Sequence, residues 1–146
     1  MSIQENGRKL RIGDVCLVKF DGIGSEQQGE RPALVFQNNV GNAHSPNIIV
    51  LPMTSVRKKV NQPTHVFVPK SEGMKLDSMV LCENPQCVSK DRLGAYITTL
   101  SKECMAKVAE ASILASSVIS FISNPEVLLA LWKKAVALNG VRATSV

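Results

Sequence analysis

Residues 101–122 contain neither glycine nor proline, whereas the hundred residues before them hold 14 of the two. That contrast divides the chain into two regimes. Frequent glycine and proline limit the first part to short strands and tight turns, and the unbroken run permits a helix. Within the run, Met105, Val108, Ala111, Ala115, Val118 or Ile119, and Ile122 recur at three- and four-residue spacing, which predicts an amphipathic helix. Ser101 suits the N-cap, and Leu100 with Met105 suits a hydrophobic staple across the first turn. A second helix is predicted to start near Pro125, a residue tolerated in a first turn, and to stop at Asn139-Gly140. Val127, Leu128, Leu131, Trp132 and Ala135 would form its apolar face.

Ahead of the helices, residues 15–20, 32–37, 48–53, 65–68 and 79–82 read as strands, with further ones around Val88 and over 95–97. The glycine-rich segment 21–30, the Asn/Ser/Pro segment 38–47 and the basic segment 56–63 read as connections. Pro32 is expected as the first residue of its strand, and Pro52 argues for a bulge or an edge. Many short strands with no helix between them predict a small antiparallel β-barrel followed by C-terminal helices, a mainly β member of the α+β class. A length of 146 residues suits one such domain with an appendage.

Seventeen Lys and Arg against 12 Asp and Glu leave a net charge of +5, which permits a nucleic-acid or other anionic partner. Aromatic residues are only 4%, which argues against a platform that binds bases by stacking alone. Cys16, Cys82, Cys87 and Cys104 show no Cys-x-x-Cys spacing, and His44 and His65 lie in separate segments, so neither a metal site nor a cofactor is expected. Residues 1–11 hold no apolar run, so no export signal is expected. The apolar stretch 111–132 is interrupted by Ser123, Asn124, Pro125 and Glu126, which leaves pieces too short to span a bilayer. The expectation is a cytoplasmic chain with reduced thiols.

The segment Gly24-Ser-Glu-Gln-Gln-Gly-Glu-Arg-Pro32 is a polar loop that ends on an arginine. A residue before proline is pushed out of the α region, so Arg31 should enter its strand extended, at the edge of a rigid scaffold. A guanidinium there can clamp a phosphate with forked hydrogen bonds. The same residues also fit an ordinary solvated hairpin loop, and physics alone leaves both readings open.

This segment does not stand alone. Arg11-Ile-Gly-Asp-Val15, the loop 24–32 and Leu34-Val-Phe-Gln-Asn38 are followed by Gly41-Asn42, Ser45-Pro46, Met53-Thr-Ser55, Pro63-Thr-His-Val66, the stretch 78–84 and Lys90-Asp-Arg-Leu93. In that order and spacing they resemble the MazF/PemK/Kid family of toxin endoribonucleases over about residues 10–122. Residues 123–146 stand outside the resemblance as a helical extension, which would pack on the first helix, lie across a dimer interface, offer a protein-docking surface, or lie on a membrane surface with Lys133 and Lys134. The resemblance implies an SH3-like barrel with a long C-terminal helix and a two-fold homodimer. It implies metal-independent cleavage of single-stranded RNA by the ribose 2′-hydroxyl, leaving 2′,3′-cyclic phosphate and 5′-hydroxyl ends. It also implies a small acidic antitoxin as partner, in a complex that binds DNA. The runner-up is a barrel of this family that has lost catalysis and acts as a protein- or nucleic-acid-binding module.

The resemblance also assigns residues. It places the catalytic arginine on Arg31, the catalytic threonine on Thr54, and Ser25 near the scissile phosphate, though Ser25 equally suits a turn serine. Glu26, Gln28 and Ser55 fall on substrate-contacting positions. Glu83 and Asn84 fall where unpaired base edges are read. Apart from the resemblance, the basic run Arg57-Lys58-Lys59 suits the RNA backbone by its charge, and it equally suits a solvated loop. Many members carry Arg-Thr where this chain has Gln86-Cys87, so one cation is missing at the substrate-facing stretch. His65 matches the family's Thr-His-Val, and a histidine starting an apolar strand reads first as structural.

Overall fold

Apolar residues alternate along the early strands, and the computed structural model pairs them as that alternation requires. It describes residues 8–22, 28–56 and 62–140. The strands are β1 (Asp14–Asp21), β2 (Gln28–Val35), β3 (Asn47–Ser55), β4 (His65–Val68), β5 (Ser78–Leu81), β6 (Gln86–Ser89) and β7 (Leu93–Thr99). The α-helices are α1 (Asn39–His44), α2 (Lys102–Ser116) and α3 (Pro125–Leu138). The strands form a 7-stranded antiparallel sheet in the order β4-β5-β3-β2-β1-β7, with β6 paired to β3 off that path.

The sheet is barrel-like because β3 serves three partners in turn. Its residues 47–50 pair with β6, 50–52 with β2, and 53–55 with β5. Pro52 sits at the changeover, opposite Ala33, where a missing N–H costs the ladder least. Apolar side chains pack on both faces of the sheet. Val15, Leu34, Leu51 and Met53 join one buried cluster, which α2 covers with Cys104, Val108 and Ala111. Cys16, Val18, Ala33, Val35, Ile48 and Val50 form the other, with Val88 and Leu93 packed against it.

Three expectations are corrected. The segment 38–47 is not a plain connection, because it forms α1 between two strands. The Asn38 side chain accepts from Gly41 N at 2.9 Å, and the buried Asn42 amide donates to Gln37 O at 2.8 Å. Side-chain hydrogen bonds hold this short helix, so no apolar period announced it. The strand predicted over 32–37 starts earlier, at Gln28, because residues 28–31 continue the ladder to β1. The long helix stops at Ser116. Ser117 takes φ 54, and a 3-10 turn follows over Val118–Phe121. Serine hydroxyls cap this break, with Ser116 Oγ donating to Ser112 O at 3.1 Å and Ser120 Oγ to Ser117 O at 2.6 Å.

The Ser101 cap forms as expected, with Ser101 Oγ accepting from Cys104 N at 3.1 Å. Helix α3 also forms, but Val127, Leu128, Leu131 and Trp132 stay exposed in the single chain. Its end is tied to α1, where Asn39 N donates to Asn139 Oδ1 at 2.9 Å. Among the described residues no helix is long and apolar enough to cross a membrane.

Gly73 is the tightest backbone position near the site described below. It takes φ 110, and an added Cβ would lie 2.7 Å from Thr98 Cβ. Gly73→Ala is therefore expected to lower stability by about 2 kcal/mol, through left-handed strain and this clash. Equilibrium urea unfolding measures it, and a change under about 0.5 kcal/mol would show that Thr98 moves aside freely.

Candidate active site

Strands β2 and β3 pair through Val35–Val50, Leu34–Leu51 and Ala33–Pro52 and then part, as β3 turns to β5 at Met53. Arg31 and Thr54 each lie two residues past that last pair, on facing strands. Strand β1 holds Arg31 from the other side, opposite Val18, and β5 holds Thr54, opposite Met79. The parting opens a cavity of about 410 Å³ lined by both residues. Leu17, Met53, Met74 and Ile97 give it an apolar lining, while Arg31, Thr54, Ser55 and Lys75 bring the polar groups. Arg31 is exposed and Thr54 half-buried, so a guanidinium and a hydroxyl meet the same opening.

The sequence-predicted residues are thus partly gathered. Arg31, Thr54 and Ser55 share one cavity. Ser25, Glu26, Arg57 and Lys58 lie outside the described residues. Gln28 opens β2 opposite Asp21, and its side chain lies outside the description. Glu83 and Asn84 do not line the Arg31 cavity. Glu83 borders a separate cavity of about 240 Å³ beside Phe36, Pro85 and Ser112. Its Oε1 lies 2.8 Å from His65 Nε2. Asn84 N donates to Leu81 O at 3.2 Å, which tightens the turn between β5 and β6. Gln86 and Cys87 pair with Val50 and Ile49, and Cys87 is exposed beside Lys19 and Arg92 in a polar recess of about 370 Å³.

Sequence reasoning missed Lys75. It follows Met74, which is buried in the core cluster, and it lines the same cavity as Arg31. No motif announces it.

The thiols divide by burial. Burial pushes the Cys82 thiol up to about 11 and raises Cys104 as well, so both stay protonated and unreactive near neutral pH. Cys16 is also buried. One rapidly reacting thiol per chain is expected with a disulfide reagent at neutral pH, and Cys87→Ser should abolish it. Fast labelling that survives Cys87→Ser would show that a buried thiol opens readily.

Known proteins share the sequence and the fold. A family described as PemK-like, MazF-like toxin of type II toxin-antitoxin system matches residues 11–115. The chain is 43% identical over 114 residues to endoribonuclease EndoA of Bacillus subtilis (strain 168), covering 77% of this chain and 98% of that protein. It is 39% identical over 104 residues to endoribonuclease MazF of Staphylococcus saprophyticus, covering 70% and 87% of the two chains. A solved mycobacterial endoribonuclease in complex with its cognate antitoxin superposes with a TM-score of 0.61 at 26% identity, over 74% of this chain and 95% of that one. On both the sequence match and the shared architecture, the chain belongs to the PemK-like, MazF-like toxins of type II toxin-antitoxin systems.

Proposed function

We propose that this chain is a sequence-specific, metal-independent endoribonuclease, the toxin of a type II toxin-antitoxin pair, and that Arg31 and Thr54 carry its chemistry. The observation behind the assignment is that the parting of β2 and β3 sets both side chains on one cavity. The nucleophile is the substrate's own 2′-hydroxyl. Its oxygen gives up its proton as it attacks the adjacent phosphorus, the bond from phosphorus to the 5′-oxygen breaks, the departing oxygen takes up a proton, and a 2′,3′-cyclic phosphate and a 5′-hydroxyl remain. The enzyme then needs fixed donors where negative charge develops. A forked guanidinium and a hydroxyl supply them. An arginine is a poor base because it holds its proton, so Arg31 stabilises charge and assists the departing 5′-oxygen. Ser55 and Lys75 stand on the rim to hold flanking phosphates, and Glu83 with Asn84 reads exposed base edges.

The working unit is a two-fold pair of chains in the cytoplasm. A small acidic antitoxin restrains it by occupying the basic RNA surface. Barrel and first helix form the nuclease unit to about residue 122, and α3 belongs to an extension.

Long single-stranded RNA incubated with the pure protein in EDTA tests the reading. Discrete fragments ending in cyclic phosphate are expected, and Thr54→Ala should slow their appearance by about 10- to 100-fold. Thr54→Ser, which keeps the hydroxyl, should stay within about threefold of wild type. No cleavage across a broad set of RNA sequences would dispose of the enzyme and leave a binding module.

A further inference from the structure

His65, which sequence alone reads as structural, bonds the one acidic side chain assigned to base reading. Its Nε2 lies 2.8 Å from Glu83 Oε1. A carboxylate only accepts, so Nε2 carries the proton and donates it. We propose that His65 is a positioning residue that aims the Glu83 carboxylate at the amino or imino donor of an unpaired nucleobase. This inference rests on Glu83 being a base contact.

The backbone on both sides is already fixed. His65 pairs with Leu81 across β4 and β5, and Cys82 N donates to Thr64 O at 3.0 Å. Beyond the turn, Gln86 pairs with Val50. What remains free is the glutamate side chain, whose immobilisation costs roughly 1.5–2 kcal/mol of rotamer entropy. The histidine is the steadier partner, with its side chain 18% exposed against 41% for Glu83. By holding one carboxylate oxygen, it fixes the direction of the other before RNA arrives, so binding carries less ordering cost. Glu83 also lines the cavity beside Phe36, Pro85 and Ser112, so open space adjoins the residue.

A stabilising role explains the pair less well. Exposed ion pairs contribute about 0–1 kcal/mol to folding. A pre-aimed acceptor, in contrast, rejects any base that offers it no donor, because mismatched polar groups are left unpaired. The effect of His65 should therefore appear in the choice of sequence.

The experiment cleaves a mixed single-stranded RNA pool with the full chain and sequences the cut ends. Glu83→Gln is expected to lower discrimination at one base position by about tenfold. His65→Ala should relax the same position by a similar factor while melting within a few degrees of wild type. His65→Gln, whose amide still donates, should keep discrimination within about threefold of wild type. His65→Phe keeps the ring's bulk without a donor, and gives the same reading as His65→Ala should the latter fold poorly. If Glu83→Gln relaxes the position and the donor-less His65 variants do not, the positioning role is overturned while base reading by Glu83 stands. If Glu83→Gln leaves the preference intact, base reading by Glu83 falls, and the role of His65 with it.

Discussion

Arg31→Ala is expected to cut RNA about 100- to 1,000-fold more slowly than wild type, the effect of removing one preorganised donor from a site of developing charge. That range corresponds to roughly 2.7–4 kcal/mol of transition-state stabilisation. The loss should fall on kcat, because the fork binds charge that exists only in the transition state. Arg31→Lys keeps the charge but not the fork, so it should recover only part of the rate. Folding should hardly change, since Arg31 is an exposed residue at the parting of two strands. Single-turnover cleavage of a labelled RNA beside a melting curve separates the two effects. An Arg31→Ala protein within threefold of wild type would remove the arginine from the chemistry.

Asp14→Ala is expected to do the opposite, lowering stability by about 2–4 kcal/mol with normal activity in the molecules that remain folded. Asp14 is fully buried at the start of β1. Its Oδ1 accepts from Arg8 Nη2 and from Thr99 Oγ1, each at 2.8 Å, and its Oδ2 accepts from Arg11 N at 3.0 Å. One carboxylate thus ties the segment before β1 to the end of β7. Truncation removes three hydrogen bonds from the one fully buried carboxylate of this corner and leaves its space unfilled, and those losses together set the cost. Arg8 itself is partly exposed, so Arg8→Ala should cost much less. Urea unfolding of the two variants checks the order. Equal losses would mean that the ion pair, and not the buried carboxylate, holds the corner.

The strands were legible because turn residues bound them and apolar residues alternate within them. β4 is the clearest case, with its limits at His65 and Val68. Helix α1 was not legible. It carries Gly41 and several asparagines, and its support is a cap and a buried amide that only the folded chain supplies. The end of α2 was overrun for a related reason. Serine, not glycine or proline, breaks the helix, by bonding its own backbone at Ser116 and Ser120.

By itself the sequence determined the family, the barrel-then-helix order, and the residue types able to stabilise a phosphorane, because these follow from local pattern and motif spacing. Tertiary structure alone decided which of those residues meet. Arg31 and Thr54 share a cavity because β3 leaves β2 for β5 at Met53, and that changeover depends on strand register, which is non-local. The same holds for Lys75, which lines that cavity next to the buried Met74, and for the His65–Glu83 bond, made by the pairing of β4 with β5. Local pattern names the groups, and long-range pairing sets the distances on which the chemistry depends.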